Sequence, residues 1–323
     1  MPPHTSPKWD CLAVGLALAD HLCHPIDHLP KAGELVITDR LELAVGGCAA
    51  NVAVDLARQH VNVGIVARLG QDIFGEFVQR TMHSAGVDTS PLKITPESET
   101  SGTLVVNVRG QDRRFIHTFG AAALFDGSEL TPEQILDTRV LYVGGYFAMP
   151  RLTPDALVEW FRIARSGNVA TVLDVVIPGP GDYPAALKTI LPHTDYFLPN
   201  SDEAEIMTGL SDPLDQARLF RDWGASTVII TCGESGAVAL SPADNCRSSV
   251  FPVDYIDGTG SGDAFDAGII CGILEQADLR RSISLGAALG ASAVRKPGAT
   301  AGVFTREERD AFLRQHALEF QPL

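Results

Sequence analysis

Nine consecutive residues, Asp257-Gly258-Thr259-Gly260-Ser261-Gly262-Asp263-Ala264-Phe265, hold three glycines, two hydroxyl side chains and two acids, the second of them, Asp263, at the head of an apolar run. Glycine-rich backbone at a helix N-terminus offers unpaired N–H groups and the positive end of the helix dipole, which together favour an anion. An acid in that first turn would repel a phosphate unless it worked on a neighbouring group. The pattern suggests a carboxylate acting on a hydroxyl beside a phosphoryl group. The plainer alternative is that Asp263 only complements the dipole. A dinucleotide fingerprint would need Gly-x-Gly-x-x-Gly early in the chain, with an acid about 20 residues on. Here the glycines stand at 258, 260 and 262, and no Gly-Lys-Ser/Thr tripeptide of a Walker A loop occurs.

Four further segments carry polar groups where a strand gives way to a helix or a turn. Gly46-Gly47-Cys48-Ala49-Ala50-Asn51 lets the backbone approach a ligand closely. Asn51 offers both a donor and an acceptor, as sugar hydroxyls require. The alternative is a tight turn with Asn51 in the first helical turn. Asp20 follows the first apolar run, and strand ends line the ligand crevice of open α/β sheets. A carboxylate there accepts bonds from two hydroxyls, or sits in a surface turn. In Asn200-Ser201-Asp202-Glu203 a carboxamide and a carboxylate three apart suit hydrated magnesium, or else form a capping box. In Thr231-Cys232-Gly233-Glu234-Ser235-Gly236, Thr231 and Gly233 could meet a nucleotide phosphate, or the segment is a β-turn.

Short apolar runs alternating with amphipathic ones must position these groups. Strands are expected at Cys11–Leu16, Val63–Arg68, Val140–Gly144, Thr171–Val176, Tyr196–Leu198, Thr227–Thr231 and Ala237–Leu240. Helices are expected at Ala50–Gln59, Phe74–Ala85, Asp155–Arg165, Ser201–Thr208, Pro213–Trp223, Asp263–Gln276, Leu279–Arg295 and Arg306–His316. Val and Ile on both faces of the strands point to a doubly wound, mainly parallel α/β sheet. Glu34–Ala44 and Gly102–Phe119 break that rhythm and read as a small β-sheet, a lid built from about 21–45 and 101–120, with a turn at Arg109-Gly110-Gln111-Asp112. The whole chain, 1–323, is expected to form one α/β domain carrying that lid.

Composition narrows the class. The chain has 323 residues, a net charge of -15 and a hydrophobic share of 45%. The acidic balance argues against a nucleic-acid surface. No run approaches the roughly 20 apolar residues of a membrane span, and Met1–Asp10 lacks a signal-peptide pattern. The six cysteines form no Cys-x-x-Cys pair, which disfavours disulfides and zinc and suits a cytoplasmic protein.

Taken in order, the segments resemble the ribokinase-like (PfkB) family of carbohydrate kinases. Gly46–Asn51 with Ala67–Gly75 resembles the N-terminal signature, Asp257–Asp263 the C-terminal one, Asn200–Glu203 the N-x-x-E magnesium motif, and Thr231–Gly236 the nucleotide loop. The resemblance implies transfer of the γ-phosphate of ATP to a sugar hydroxyl. In that reading Asp263 is the base and the amides of Gly260, Ser261 and Gly262 are the anion hole. Asp20, Gly46, Gly47 and Asn51 would hold the sugar. Asn200 and Glu203 would orient Mg²⁺ through water, and Asn200, Thr231, Gly233 and Gly236 would line the nucleotide, with Ala288–Val294 flanking the adenine. Asp257 and the Thr259 carbonyl match ligand positions for a monovalent cation, K⁺. Cys48 departs from the Lys common in ribose-specific members, and Ala122 from an Asn. A homodimer through the lid is expected, because exposed edge strands tend to be covered. The alternatives are a nucleoside kinase of the same fold, a non-catalytic sugar or nucleotide sensor and, more remotely, a dinucleotide-dependent oxidoreductase.

Overall fold

The computed structural model describes residues 6–111 and 114–323. Residues 1–5 of the polar N-terminal segment, and Asp112 of the expected turn, lie outside them. The strands in chain order are β1 (Trp9–Gly15), β2 (Leu18–Ile26), β3 (Leu41–Gly46), β4 (Val63–Val66), β5 (Arg68–Gly70), β6 (Lys93–Thr95), β7 (Gly102–Val108), β8 (Arg114–Thr118), β9 (Thr138–Gly144), β10 (Ala170–Leu173), β11 (Tyr196–Phe197), β12 (Thr227–Thr231), β13 (Ala237–Leu240), β14 (Asn245–Ser248) and β15 (Phe320–Pro322). The helices are α1 (Cys48–Arg58), α2 (Ile73–Ser84), α3 (Pro132–Leu136), α4 (Pro154–Ser166), α5 (Tyr183–Ile190), α6 (Ser201–Thr208), α7 (Pro213–Asp222), α8 (Ser261–Leu274), α9 (Leu279–Ala293) and α10 (Arg306–Gln315).

Nine strands form the main sheet in the order β15-β14-β13-β12-β11-β10-β9-β1-β4. From β4 to β12 all neighbours are parallel, and β13, β14 and β15 are added antiparallel. Alternation within each strand builds a core on either face. Cys11 and Ala13 of β1, with Val140 and Tyr142 of β9, join the core under α1, α8 and α9. Leu12 and Val14, with Leu141 and Val143, join the core under α4, α5 and α7. Both faces are therefore apolar, and the doubly wound mainly parallel sheet is the observed architecture.

The chain leaves β1 at Gly15 and enters a separate four-stranded sheet, β3-β2-β7-β8, within three residues. There β2 pairs antiparallel with β3 and parallel with β7, and β7 pairs antiparallel with β8. Three details differ from expectation. Glu34–Asp39 forms no strand: Leu35 and Ile37 are 87% and 84% exposed, and pairing with β2 begins only at Leu41 opposite Cys23. Val63–Arg68 divides at Ala67, and β5 pairs with β6 instead of continuing β4. Helices α3 and α5, and strands β14 and β15, carry too little periodic pattern over their short lengths to stand out from sequence.

Candidate active site

Two glycine-rich turns open the two helices that meet at the site, α1 and α8. Gly47, with φ 94°, precedes α1, and a Cβ there would lie 2.6 Å from the Leu16 carbonyl oxygen. That same carbonyl accepts the Ala50 N–H at 3.1 Å, fixing the α1 start against the end of β1. Gly260, with φ 75°, precedes α8, and a Cβ there would lie 2.3 Å from the Ala299 carbonyl oxygen. Both positions require glycine for backbone reasons. Gly262 differs: a Cβ there would meet nothing within 4 Å. Its missing side chain leaves space on the solvent side of the first α8 turn.

The packing of α1 on α8 brings Asn51 Nδ2 to 2.8 Å from Asp263 Oδ2, across 212 residues of sequence. Asn51 is 5% exposed, and its Oδ1 has no hydrogen-bond partner among the described residues. Asp263 is half-buried. Burial raises its pKa, opposed by the hydrogen bonds from Asn51 and Cys48. Cys48 Sγ and carboxylate oxygens of Asp174 and Asp263 all lie within 4.8 Å of one another.

Asp20 sits inside β2, within the small sheet, and not at the end of a main-sheet strand. Gly46 makes room for it, since a Cβ at Gly46 would fall 2.1 Å from Asp20 Oδ2. Burial pushes the Asp20 carboxyl up to about 7; a bond from the opposing Thr103 lowers it and the Asp263 charge raises it. Glu203 is also pushed up to about 7, by burial first and by the charges of Asp263 and Asp202, against a lowering bond from the Asn200 N–H. Asn200 and Glu203 do form the capping box: Glu203 N–H donates to Asn200 Oδ1 at 2.9 Å and Asn200 N–H donates to Glu203 Oε2 at 3.0 Å. A β-bridge places Asn200 beside Thr231.

Other expected residues stand further out. Gly233 and Gly236 shape a tight turn with φ 54° and 87°, and a Cβ at Gly236 would strike the Ser248 carbonyl at 1.9 Å. Asp257 Oδ1 accepts the Thr259 N–H and hydroxyl at 3.0 and 2.7 Å, and its Oδ2 accepts the Gly298 N–H at 3.0 Å. Those bonds hold the 257–259 loop against the segment after α9. The Ser261 N–H donates to the Gly258 carbonyl at 3.3 Å. In the Ala67–Gly75 signature, Asp72 caps α2 through Gly75 N–H and takes two bonds from Thr100, just before β7. That segment ties the small sheet to the main body.

A family model described as pfkB family carbohydrate kinase matches residues 9–306. The chain belongs to the pfkB carbohydrate kinase family. This pfkB kinase is 28% identical to a ribokinase of Haemophilus influenzae, over 94% of its own length and 98% of that protein's. It is 25% identical to a 5-dehydro-2-deoxygluconokinase of Clostridium perfringens, over 97% and 95% of the two lengths. Arabidopsis thaliana ribokinase, solved with ribose and ATP, superposes with a TM-score of 0.83 at 20% identity, covering 96% of this chain and 99% of that one. The enzyme class follows: a phosphotransferase with an alcohol group as acceptor. Among its described residues no helix is long and apolar enough to cross a membrane.

Sequence reasoning passed over three acids of this pfkB kinase. Asp174 follows β10 directly and accepts the Gly145 N–H at 3.1 Å. An acid just past the end of a main-sheet strand stands where open α/β sheets line their ligand crevice. Asp266, one turn into α8, accepts the Tyr142 hydroxyl at 3.1 Å. Asp55, one turn beyond Asn51, is fully buried with neither oxygen hydrogen-bonded among the described residues. Burial raises the pKa of all three.

Proposed function

We propose that this pfkB kinase transfers the γ-phosphate of ATP to a hydroxyl of a small sugar, with Asp263 as the general base. The Asn51–Asp263 bond of 2.8 Å carries the reading. It joins a bifunctional amide to a carboxylate at the start of α8. A sugar hydroxyl held by Asn51 Oδ1 would then lie next to the group that removes its proton. Phosphoryl transfer asks mainly for positioning and charge stabilisation, and a carboxylate with a raised pKa suits proton acceptance near neutral pH. The amides of Gly260, Ser261 and Gly262 form the anion hole for the transferring group, with the open side of Gly262 leaving it room.

Asp20, Gly46, Gly47 and Asn51 hold the sugar. Thr231, Gly233 and Gly236 line the nucleotide on the far side. The donor set of Asn200 and Glu203 fits a hydrated magnesium ion, whose charge would also offset the crowded carboxylates. When bound, that ion supplies charge neutralisation at the phosphates. Asp257 and the Thr259 carbonyl would serve K⁺ beside the anion hole. The small sheet acts as a lid over the sugar, and its edges mediate a homodimer of a cytoplasmic enzyme.

Asp263→Asn keeps the shape and the Asn51 contact but removes the base. Its kcat in an ADP-release assay with a productive sugar is expected to fall about 10³-fold, with ATP binding by calorimetry nearly unchanged. Turnover close to wild type would reject the base assignment.

A further inference from the structure

Four arginines line a cavity at the other end of α8 from Asp263. It measures about 320 Å³, and Arg281 of α9 and Arg306, Arg309 and Arg314 of α10 converge on it. Its two acids, Glu275 and Asp310, are both taken. Arg309 is 2% exposed, and its Nη2 lies 3.2 Å from Glu275 Oε1 and 2.8 Å from Asp310 Oδ1. The other acids at these helix starts are engaged too. Asp278 Oδ1 accepts the Arg281 N–H at 2.7 Å, Glu308 Oε2 accepts the Thr305 N–H at 2.8 Å, and Glu307 Oε1 lies 3.7 Å from His60 Nδ1. Arg281, Arg306 and Arg314 are exposed and have no ion-pair partner among the described residues. Two of them stand where a cation is disfavoured. Arg281 is the third residue of α9 and Arg306 the first of α10, each at the positive end of its helix dipole. The chain carries a net charge of -15, so acids to neutralise them were plentiful in its composition.

We propose that this cavity is an anion site separate from the kinase centre, and that it takes a compact phosphate compound of two or more negative charges. Guanidinium forks match phosphate oxygens in pairs, and such charge-assisted bonds are of the strong class. Arg309 is held in place by its two carboxylates, and the three exposed arginines supply the free N–H donors from two helices. A bound dianion offsets the like charges that the protein gathers there. The volume stands at the small end of ligand sites, which suits pyrophosphate or a sugar phosphate. Helix α8 spans 14 residues, a length of about 21 Å, so the cavity lies about that far from the Asp263 turn. The site is independent of the kinase reading.

The test titrates the full chain, without Mg²⁺, with pyrophosphate and with fructose 6-phosphate by calorimetry. The wild type is compared with the double variant Arg306→Gln/Arg314→Gln. Binding at the kinase centre is common to both proteins, so the difference between them belongs to the cavity. The double variant is expected to bind at least about tenfold more weakly, as loss of charge-assisted hydrogen bonds implies. Raising NaCl from about 50 to about 300 mM should weaken the wild-type event. The anion with the larger ratio of wild type to variant shows whether the phosphate is taken free or on a sugar. Without anion the variant should melt no lower than the wild type, because it loses only exposed, unneutralised charge. Arg281→Gln, on the other helix, is an independent variant with the same expected loss of binding. Arg306→Lys/Arg314→Lys keeps the charge and should recover part of it. Matching titrations of the wild type, the double variant and Arg281→Gln overturn the proposal, and so does a wild type that binds neither anion.

Discussion

Asp20 and Glu203 titrate near 7 because burial penalises their charged forms. In the unfolded chain they ionise near 4. Between those values the folded state binds more protons than the unfolded one, so stability falls as pH rises through that window. The ligand-free protein is expected to melt at a higher temperature at pH 5.5 than at pH 8. Asp20→Asn should flatten that slope, its contribution being about 4 kcal/mol at most. Scanning calorimetry at several pH values checks this; identical slopes for both proteins would reject the Asp20 shift. Catalysis has the opposite dependence. A base with a raised pKa loses its acceptor form on acidification, so kcat/KM should fall on the acid side above the usual carboxylate range. Asp55 makes a further point at this scale. A buried carboxyl with no partner is costly, so Asp55→Leu should raise the melting temperature at pH 8 by a few degrees, corresponding to about 1–2 kcal/mol. A lower melting temperature would mean that Asp55 has a partner.

At the level of elements, the two glycines that frame the start of α8 should separate stability from chemistry. Gly260 is left-handed and pressed on the Ala299 carbonyl. Gly260→Ala is expected to cost about 2–3 kcal/mol and to displace the α8 N-terminus. Gly262 lies in helix with open space where its Cβ would be. Gly262→Ala should leave the melting temperature unchanged or slightly higher, by up to about 1 kcal/mol. If Gly262 belongs to the proposed anion hole, its methyl would crowd the phosphoryl group and kcat should fall at least tenfold. Equal activity of Gly262→Ala and wild type would remove Gly262 from the anion hole. The capping box of α6 likewise has two uses. It holds the helix end, and it keeps the Asn200 and Glu203 side chains side by side, as the proposed hydrated ion would need.

Across the molecule, the small sheet joins the main body through Leu16-Ala17, the β3-to-α1 turn at Gly47 and the Asp72–Thr100 bonds, and it packs on α2, where His21 of β2 stands edge-on to Phe74. If the small sheet is the lid proposed above, it closes over the sugar and excludes water from the γ-phosphate. Small-angle scattering should show compaction when sugar and a non-hydrolysable ATP analogue bind; identical curves would count against a lid. The sheet also exposes Leu41 on β3, Leu104 on β7, and Phe115 and Ile116 on β8. A homodimer covering them predicts twice the chain mass in light scattering, and Ile116→Asp should reduce it to one.

The sequence alone determined the layered α/β plan, the two signature turns and the class of reaction. Apolar alternation is a local property, and glycines needed for turns sit next to the helices they open. Helices α6 and α9, and strands β12 and β13, start where their residues predict for that reason. Only the tertiary structure decided which acids share a site. Asp174, Asp55 and Asp266 are ordinary in sequence and acquire raised pKa values only when sheet and helices exclude water around them. Asn51 meets Asp263 because α1 packs on α8, a contact across 212 residues that no local pattern encodes. The place of Asp20 in the small sheet, and the silence of Glu34–Asp39 as a strand, depend on which backbone has a partner to pair with, and pairing is a property of the assembled fold.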